Sequence, residues 1–362
     1  MMRLKLRICT NRRRIIICSI IAVIILISLF FSNNIEIWLG FKPNLKPSQM
    51  EGDLEIHYLD IGQADCTLIR LPNNEIVIID TGVKSKQKTL KTYLNKILLK
   101  GSNKIDHLIL THSDSDHIGN TKFLLDNYNV VNIYVPHESI IDLLDDDNQQ
   151  DRESKEILQN IYTNERNINV IINSKDVEIK DVKTGDVYLN WLYPNTEVVS
   201  NTNDYSPIIE ISYKQRHTLV CGDVSIDAEN ICMMNNIMKD VDVLKISHHG
   251  SANSTSEVLL ETIDPEYVII SVGKNNVYNF PASDLLNRIY NYDINLYNNI
   301  MRTDKNGNIV QLVEGDGNLK FHFIKNINYY SFSHWYMVVI VFFIVDFFAA
   351  INLKRINKKK SY

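Results

Sequence analysis

The sequence predicts an α/β protein, an αββα sandwich flanked by N- and C-terminal transmembrane helices. Three observations carry this expectation. Strand-like apolar runs fall into two blocks separated by helical runs. In both blocks the runs stop abruptly at histidines and aspartates, which can share one site only if the strand ends of two packed sheets meet at one edge. The chain also carries an uncharged apolar stretch near each end, each beside a basic cluster.

The chain opens with Arg3, Lys5, Arg7 and Arg12-Arg13-Arg14 and then runs from Ile15 to Phe31 without a charge. That length reaches the short end of the spanning range, about 17 residues. Phe31-Ser32-Asn33-Asn34 offers no small-x-small cleavage site, so residues 1–32 are expected to form a basic flank and signal anchor rather than a cleaved signal peptide. Residues 33–53, with Pro43 and Pro47, read as a linker to a domain at 54–325. The stretch 335–353 is mostly apolar, starts with Trp335-Tyr336, and is followed in the tail 354–362 by Lys354, Arg355 and Lys358-Lys359-Lys360. Aromatics on one side and lysines on the other are interface anchors, and a second span is expected there. Asp346 inside it costs about 2.5–3.5 kcal/mol on insertion scales. It is neutralised, paired with a partner helix, or the mark of a segment that does not span. With both spans in place the protein sits in the cell membrane, with both termini cytoplasmic and the domain between them extracytoplasmic.

That placement changes the charge balance. The two flanks hold six and five of the 38 Lys and Arg residues, leaving 27 in residues 15–334 against 42 Asp and Glu there, a net charge of about −15 rather than the −5 of the whole chain. So acidic a region repels a long polyanion, which disfavours nucleic acid as a partner. The five cysteines, Cys9, Cys18, Cys66, Cys221 and Cys232, are too few and too irregularly spaced for a disulfide framework or a zinc ribbon.

Leu54 to Asp60 alternates as a strand, Gly62-Gln63-Ala64-Asp65 turns the chain, and Cys66–Leu71 and Glu75–Ile79 follow as strands joined across Pro72-Asn73-Asn74. This β-meander ends in Asp80-Thr81-Gly82. Gln87–Leu99 reads as a helix with an apolar face, and Ile105–Leu110 as a buried strand running into Thr111-His112-Ser113-Asp114-Ser115-Asp116-His117-Ile118-Gly119, with a helix from about Ile118. Two imidazoles and two carboxylates within six residues are poorly explained as a solvated turn. His112, Asp114, Asp116 and His117 suit a divalent cation, zinc or the harder manganese, as one ion or two.

Val130–Val135 is a strand, and Glu138–Tyr162 a polar helical excursion whose Asp145-Asp146-Asp147 reads as a solvated face. Val187–Tyr193, Pro207–Tyr213 and His217–Cys221 are strand-like, the last delivering Gly222-Asp223. Val241–Ser247 is a further buried strand that ends in His248-His249-Gly250-Ser251. Adjacent side chains on a strand point opposite ways, so one of the two histidines must leave the core. Tyr267–Val272 is the last strand of this block.

His112-x-Asp114-x-Asp116-His117-x-Gly119 resembles the metal loop of the metallo-β-lactamase superfamily, in the variant found in the β-lactamase-like domain of ComEC-type competence proteins. Over about Leu54 to Val313 the ordered motifs agree. Asp60-Ile61-Gly62-Gln63-Ala64-Asp65 and Asp80-Thr81-Gly82 resemble its Asp-x-Gly-Gln-Gly-Asp and Asp-Thr-Gly signatures, with Ala64 in place of a glycine. Asn203-Asp204-Tyr205-Ser206 resembles its Asn-Asp-x-Ser, and His248-His249-Gly250-Ser251 matches without substitution. The resemblance implies a metallo-β-lactamase sandwich. It implies Asp60, Asp65 and Asp80 beneath the metal loop, orienting its ligands, Asp223 bridging the metals, and His248 as a ligand or His248 and His249 as supports of developing charge. It also implies a histidine where this chain has Phe280, in Asn276-Val277-Tyr278-Asn279-Phe280-Pro281. A mononuclear site, a site rearranged onto His248 or His249, and a domain that mainly binds all remain open there.

The expected activity is metal-assisted hydrolysis of a phosphodiester or another anionic ester, with Asp116 orienting the attacking water and His248 or His249 meeting the charge that develops. The resemblance adds a nuclease-like enzyme acting outside the cell. DNA transport is not carried over, because these residues hold no counterpart of the polytopic competence channel. A membrane-tethered, metal-stabilised binding or sensor domain is the alternative. The oligomeric state is open.

Overall fold

Period-two alternation sorts the strands of this computed structural model into two sheets with an apolar seam between them. The structure describes residues 53–324 apart from 100–101, 164–165, 167, 175–176, 182–186, 195–198 and 235–239. The expected spans, the linker up to residue 52 and both basic flanks lie outside the described residues, among which no helix is long and apolar enough to cross a membrane.

The first sheet holds β1 (Leu54–Tyr58), β2 (Thr67–Arg70), β3 (Ile76–Ile79), β4 (Lys104–Ile109), β5 (Asn129–Val135), β6 (Asn169–Ile172), β14 (Asn308–Val313) and β15 (Leu319–Ile324), in the order β15-β14-β1-β2-β3-β4-β5-β6. The second holds β7 (Glu178–Asp181), β8 (Val187–Tyr193), β9 (Ile208–Tyr213), β10 (Arg216–Cys221), β11 (Val243–Lys245), β12 (Tyr267–Ile270) and β13 (Ile300–Arg302), in the order β13-β12-β11-β10-β9-β8-β7. β1 to β3 form the expected antiparallel meander, whereas β3 to β6 and β10 to β13 pair in parallel.

Parallel neighbours need crossovers, and helices supply them. They are α1 (Gln87–Tyr93), α2 (Ser115–Ile118), α3 (Thr121–Asn127) and α4 (Gln149–Tyr162) in the first block, and α5 (Ile226–Met234), α6 (Glu257–Ile263) and α7 (Ser283–Tyr292) in the second. Val77 and Ile79 face the seam while Ile76 and Ile78 face the helices of the first block. Val243 and Ile269 face the seam while Leu244, Val268 and Ile270 face the helices of the second. Trp191 on β8 stacks on Tyr134 of β5 with ring centroids 5.3 Å apart, and Gln311 on β14 donates to Thr218 Oγ1 on β10 at 2.7 Å, so apolar and polar contacts both bind sheet to sheet.

Two local expectations are corrected. The helix expected from Ile118 begins at Ser115 and breaks at Gly119-Asn120 before α3. A Cβ on Gly119 would lie 2.4 Å from Ser115 O, 2.7 Å from Lys84 N and 2.9 Å from Gly82 O, so the backbone presses here on the Asp80-Thr81-Gly82 turn. Asn120 Nδ2 seals the contact by donating to Thr81 O at 2.8 Å and to Val83 O at 2.9 Å. The strand expected to carry His248 and His249 stops at Lys245, and both histidines occupy a tight turn with φ of +50° and +52°. At the end of that turn Gly250 backs onto Pro281, whose Cβ lies 2.6 Å from where a Cβ on Gly250 would stand.

Candidate metal centre

The C-terminal ends of β3, β4, β10 and β11 meet at one edge, where the two sheets approach closely because Gly222 has no side chain. A Cβ there would lie 2.6 Å from Ser206 Cβ and 3.2 Å from Thr111 Cβ. Directly after β3, Asp80 accepts from Thr111 N–H at 2.9 Å, from Thr111 Oγ1 at 2.7 Å and from His117 Nδ1 at 2.7 Å. His117 therefore carries its proton on Nδ1 and turns the Nε2 lone pair outward. Beside it, His112 Nδ1 lies 3.0 Å from Thr111 Oγ1 and 3.2 Å from Ser206 Oγ, and Ser206 Oγ also accepts the Asp223 N–H at 3.1 Å.

These supports aim three atoms at one point. His112 Nε2, His117 Nε2 and an Asp223 carboxylate oxygen lie within 4.8 Å of one another, and all three are buried without a hydrogen-bond partner among the described residues. His117 Nε2 and Asp223 Oδ1 stand 3.3 Å apart, close enough for ionic attraction but not aligned as a hydrogen bond. Each unsatisfied buried polar atom costs about 1–3 kcal/mol. Two imidazoles and a carboxylate facing a shared point fit a divalent cation, which would satisfy all three.

A second triad, Asp116, His117 and His249, adjoins the first. His249 Nδ1 donates to Ser271 O at 2.9 Å, leaving Nε2 3.2 Å from Asp116 Oδ2 and 3.8 Å from Asp223 Oδ2. His248 Nε2 stands 3.8 Å from the same Asp223 oxygen on the solvent side, its side chain 32% exposed. Asp223 thus turns one oxygen toward His117 and the other toward the His248-His249 turn.

The family model described as the Metallo-beta-lactamase superfamily matches residues 59–274, which contain every residue of both triads. The chain belongs to this superfamily. ComE operon protein 3 of Bacillus subtilis is 29% identical over 277 residues, covering 70% of this chain and 32% of that protein. Recombination protein 2 of Haemophilus influenzae is 26% identical over 253 residues, covering 70% and 28%. Competence protein ComA of Neisseria gonorrhoeae is 25% identical over 297 residues, covering 81% and 36%. These relatives bear out the ComEC-like resemblance of the motifs, and the chain spans about a third of their length.

The electrostatics of the metallo-β-lactamase centre call for positive charge. Burial disfavours the imidazolium form of His249, but Asp223 and the Asp116 contact outweigh it and push its pKa up to about 9. His117 is likewise buried, yet Asp223 and Asp80 hold its pKa well above the usual histidine value. Burial would raise the Asp116 pKa, and the contacts with His249 and His117 instead bring it down to about 2. Protons on these histidines and a cation between them are alternative ways of balancing the same carboxylates.

Not every expected residue joins the triads. Asp114 stands at the rim, with Oδ2 3.6 Å from His112 Nε2 and a side chain 44% exposed. The Asp60 N–H donates to Asn308 Oδ1 at 2.9 Å, tying the end of β1 to β14. Asp65 holds Asp116 through its backbone, N–H to carbonyl at 3.2 Å, while its carboxylate takes Lys245 Nζ at 2.5 Å. Lys245 is the residue that sequence reasoning missed. It is buried on β11 and also donates to Cys221 O at 3.1 Å, cross-linking the floor of the site. A lysine inside an apolar strand is rarely buried without a partner, and that anomaly was the available signal. Phe280, where the resemblance implies a histidine, meets the His248 ring edge-on at 5.8 Å.

Proposed function

We propose that this protein is a membrane-anchored, metal-dependent hydrolase acting outside the cytoplasm on a phosphodiester or a related phosphate ester. One observation carries the reading: His112 Nε2, His117 Nε2 and Asp223 Oδ1 are buried and convergent, without a hydrogen-bond partner among the described residues, and they lie against a second triad that includes the partly exposed Asp116. Bound there, a divalent cation supplies a water acidified to a pKa of about 7 and an electrophile for the phosphoryl oxygen. Asp80, Thr111 and Ser206 fix His112 and His117 as ligands by occupying their Nδ1 sides. Asp116 accepts a hydrogen bond from the attacking water and orients it. His248, on the solvent side of Asp223, and His249, held by its Nδ1 bond to Ser271 O, face the charge that develops on the departing alkoxide.

The uncharged stretches at 15–31 and 335–353, with their basic flanks, support membrane anchoring with the domain outside. The relatives named for competence and recombination support a nuclease-like ester substrate, and the acidity of residues 15–334 favours a short one. A binding or sensor domain is the second reading, favoured by Phe280 standing where the family has a histidine. Hydrolysis of bis(p-nitrophenyl) phosphate by metal-loaded full-length protein, beside an Asp116→Ala, His117→Ala variant, separates the two. Turnover in the native protein that the variant loses supports the hydrolase; saturated metal without turnover on any of a panel of phosphate esters supports the binding domain.

A further inference from the structure

The loop after β12 presents an aromatic surface that the metal chemistry leaves unused. Val277 is 86% and Tyr278 63% exposed. The Tyr278 ring stacks on Phe280 with centroids 5.5 Å and planes 20° apart, and Phe280 in turn meets the His248 ring at 5.8 Å. Phe280 is partly buried against the core beneath α5 to α7, so the stack rests on a fixed base.

The loop itself is tightly held. Asn276 Oδ1 accepts the Phe280 N–H at 2.9 Å, and Asn276 Nδ2 donates to Gly273 O at 3.0 Å and Phe280 O at 2.8 Å. Gly273 N–H donates to Gln63 Oε1 at 2.9 Å, and Ala282 N–H to Gly250 O at 2.8 Å. The aromatic pair is thereby locked to both the Gly62-Gln63 turn and the His-His-Gly turn. Exposed apolar surface held in place beside a half-exposed site residue is the mark of a binding surface.

We propose that Tyr278 and Phe280 form a ring-binding subsite of the hydrolytic centre, so that the substrate is a small phosphate ester whose alcohol carries a planar ring, as a nucleoside does, rather than a long polyanion. The inference rests on the hydrolase reading above. A phosphate lying against Asp223 and His248 leaves its ring-bearing side next to Phe280, where the open face of Tyr278 can stack on it. Stacking of this kind accepts any planar base. A single ester also brings little negative charge into a region whose net charge is about −15.

The test uses full-length protein in detergent, loaded with Mn²⁺, and two probes: thymidine 5′-monophosphate and 2-deoxyribose 5-phosphate. Both are measured as inhibitors of bis(p-nitrophenyl) phosphate hydrolysis and, independently, by calorimetric binding. The nucleotide is expected to bind tighter by about tenfold or more. The gap closes in Tyr278→Ala and persists in Tyr278→Phe, with metal content the same in all three. Equal affinities in the native protein, no binding of either probe, or a gap that survives Tyr278→Ala overturns the subsite. The hydrolase reading fails separately: a calorimetric gap without turnover of bis(p-nitrophenyl) phosphate or of any of the panel of phosphate esters refutes hydrolysis and leaves the ring subsite, and turnover without a gap does the reverse.

Discussion

Asp80 touches no expected substrate atom, yet it fixes the proton on His117 Nδ1 and the position of Thr111 at once. Asp80→Asn can present an N–H where His117 needs an acceptor, and metal affinity is expected to fall by about 10–100-fold. Competition against a chelator of known affinity measures this, and an unchanged affinity contradicts the assigned tautomer. Lys245 makes a complementary case. Lys245→Met strands the Asp65 carboxylate in the interior and is expected to cost about 3–5 kcal/mol, most of which Lys245→Met with Asp65→Leu recovers; urea unfolding midpoints of the single and double variants decide this. At this scale the clustering of His112, Asp116 and His117 was legible because imidazoles and carboxylates crowd within six residues of one loop. The partner of Lys245 was not, because Asp65 lies 180 positions away and nothing local to either residue names the other.

Among the elements, strands were read from alternation, and the seam-facing and helix-facing residues of β3, β11 and β12 bear that out. Turn geometry was not readable. The positive φ of His248 and His249 and the break at Gly119 stand where Gly250 packs on Pro281 and Gly119 on the Asp80-Thr81-Gly82 turn, neighbours that arrive from elsewhere in the chain. Gly222 packs against Ser206 and Thr111 beside the site. Gly222→Ala is expected to destabilise by about 1–3 kcal/mol through overpacking against Ser206, and to weaken metal binding because Ser206 also supports His112. Thermal unfolding with and without metal reads both effects, and an unchanged metal-induced stabilisation contradicts the second.

For the whole molecule, two buried carboxylates outside the site shape stability against pH. Burial would raise the Glu55 pKa, but His57 and Arg70 outweigh it and bring it down to about 2. Its contribution is present above the unfolded value near 4.5 and is lost as pH falls toward 2. Burial pushes Glu229 up to about 7 despite the N–H groups of Thr255 and Ser256 that it accepts. Its contribution is present below about 4.5 and is lost as pH rises through 7. Native protein should therefore lose more urea resistance between pH 5 and pH 8 than Glu229→Gln does, by up to about 3 kcal/mol; parallel slopes contradict the assignment.

The two triads draw on both halves of the chain, because His112, Asp116 and His117 come from the first sheet's edge and Asp223 and His249 from the second's. The most direct test titrates Zn²⁺ or Mn²⁺ into metal-free full-length protein while following bound metal per chain and phosphodiester turnover together. Turnover should rise with occupancy and saturate at one or two equivalents, and His117→Ala should abolish both the binding and the rate. Full activity in the metal-free protein, or unchanged metal binding in His117→Ala, would contradict the proposed centre.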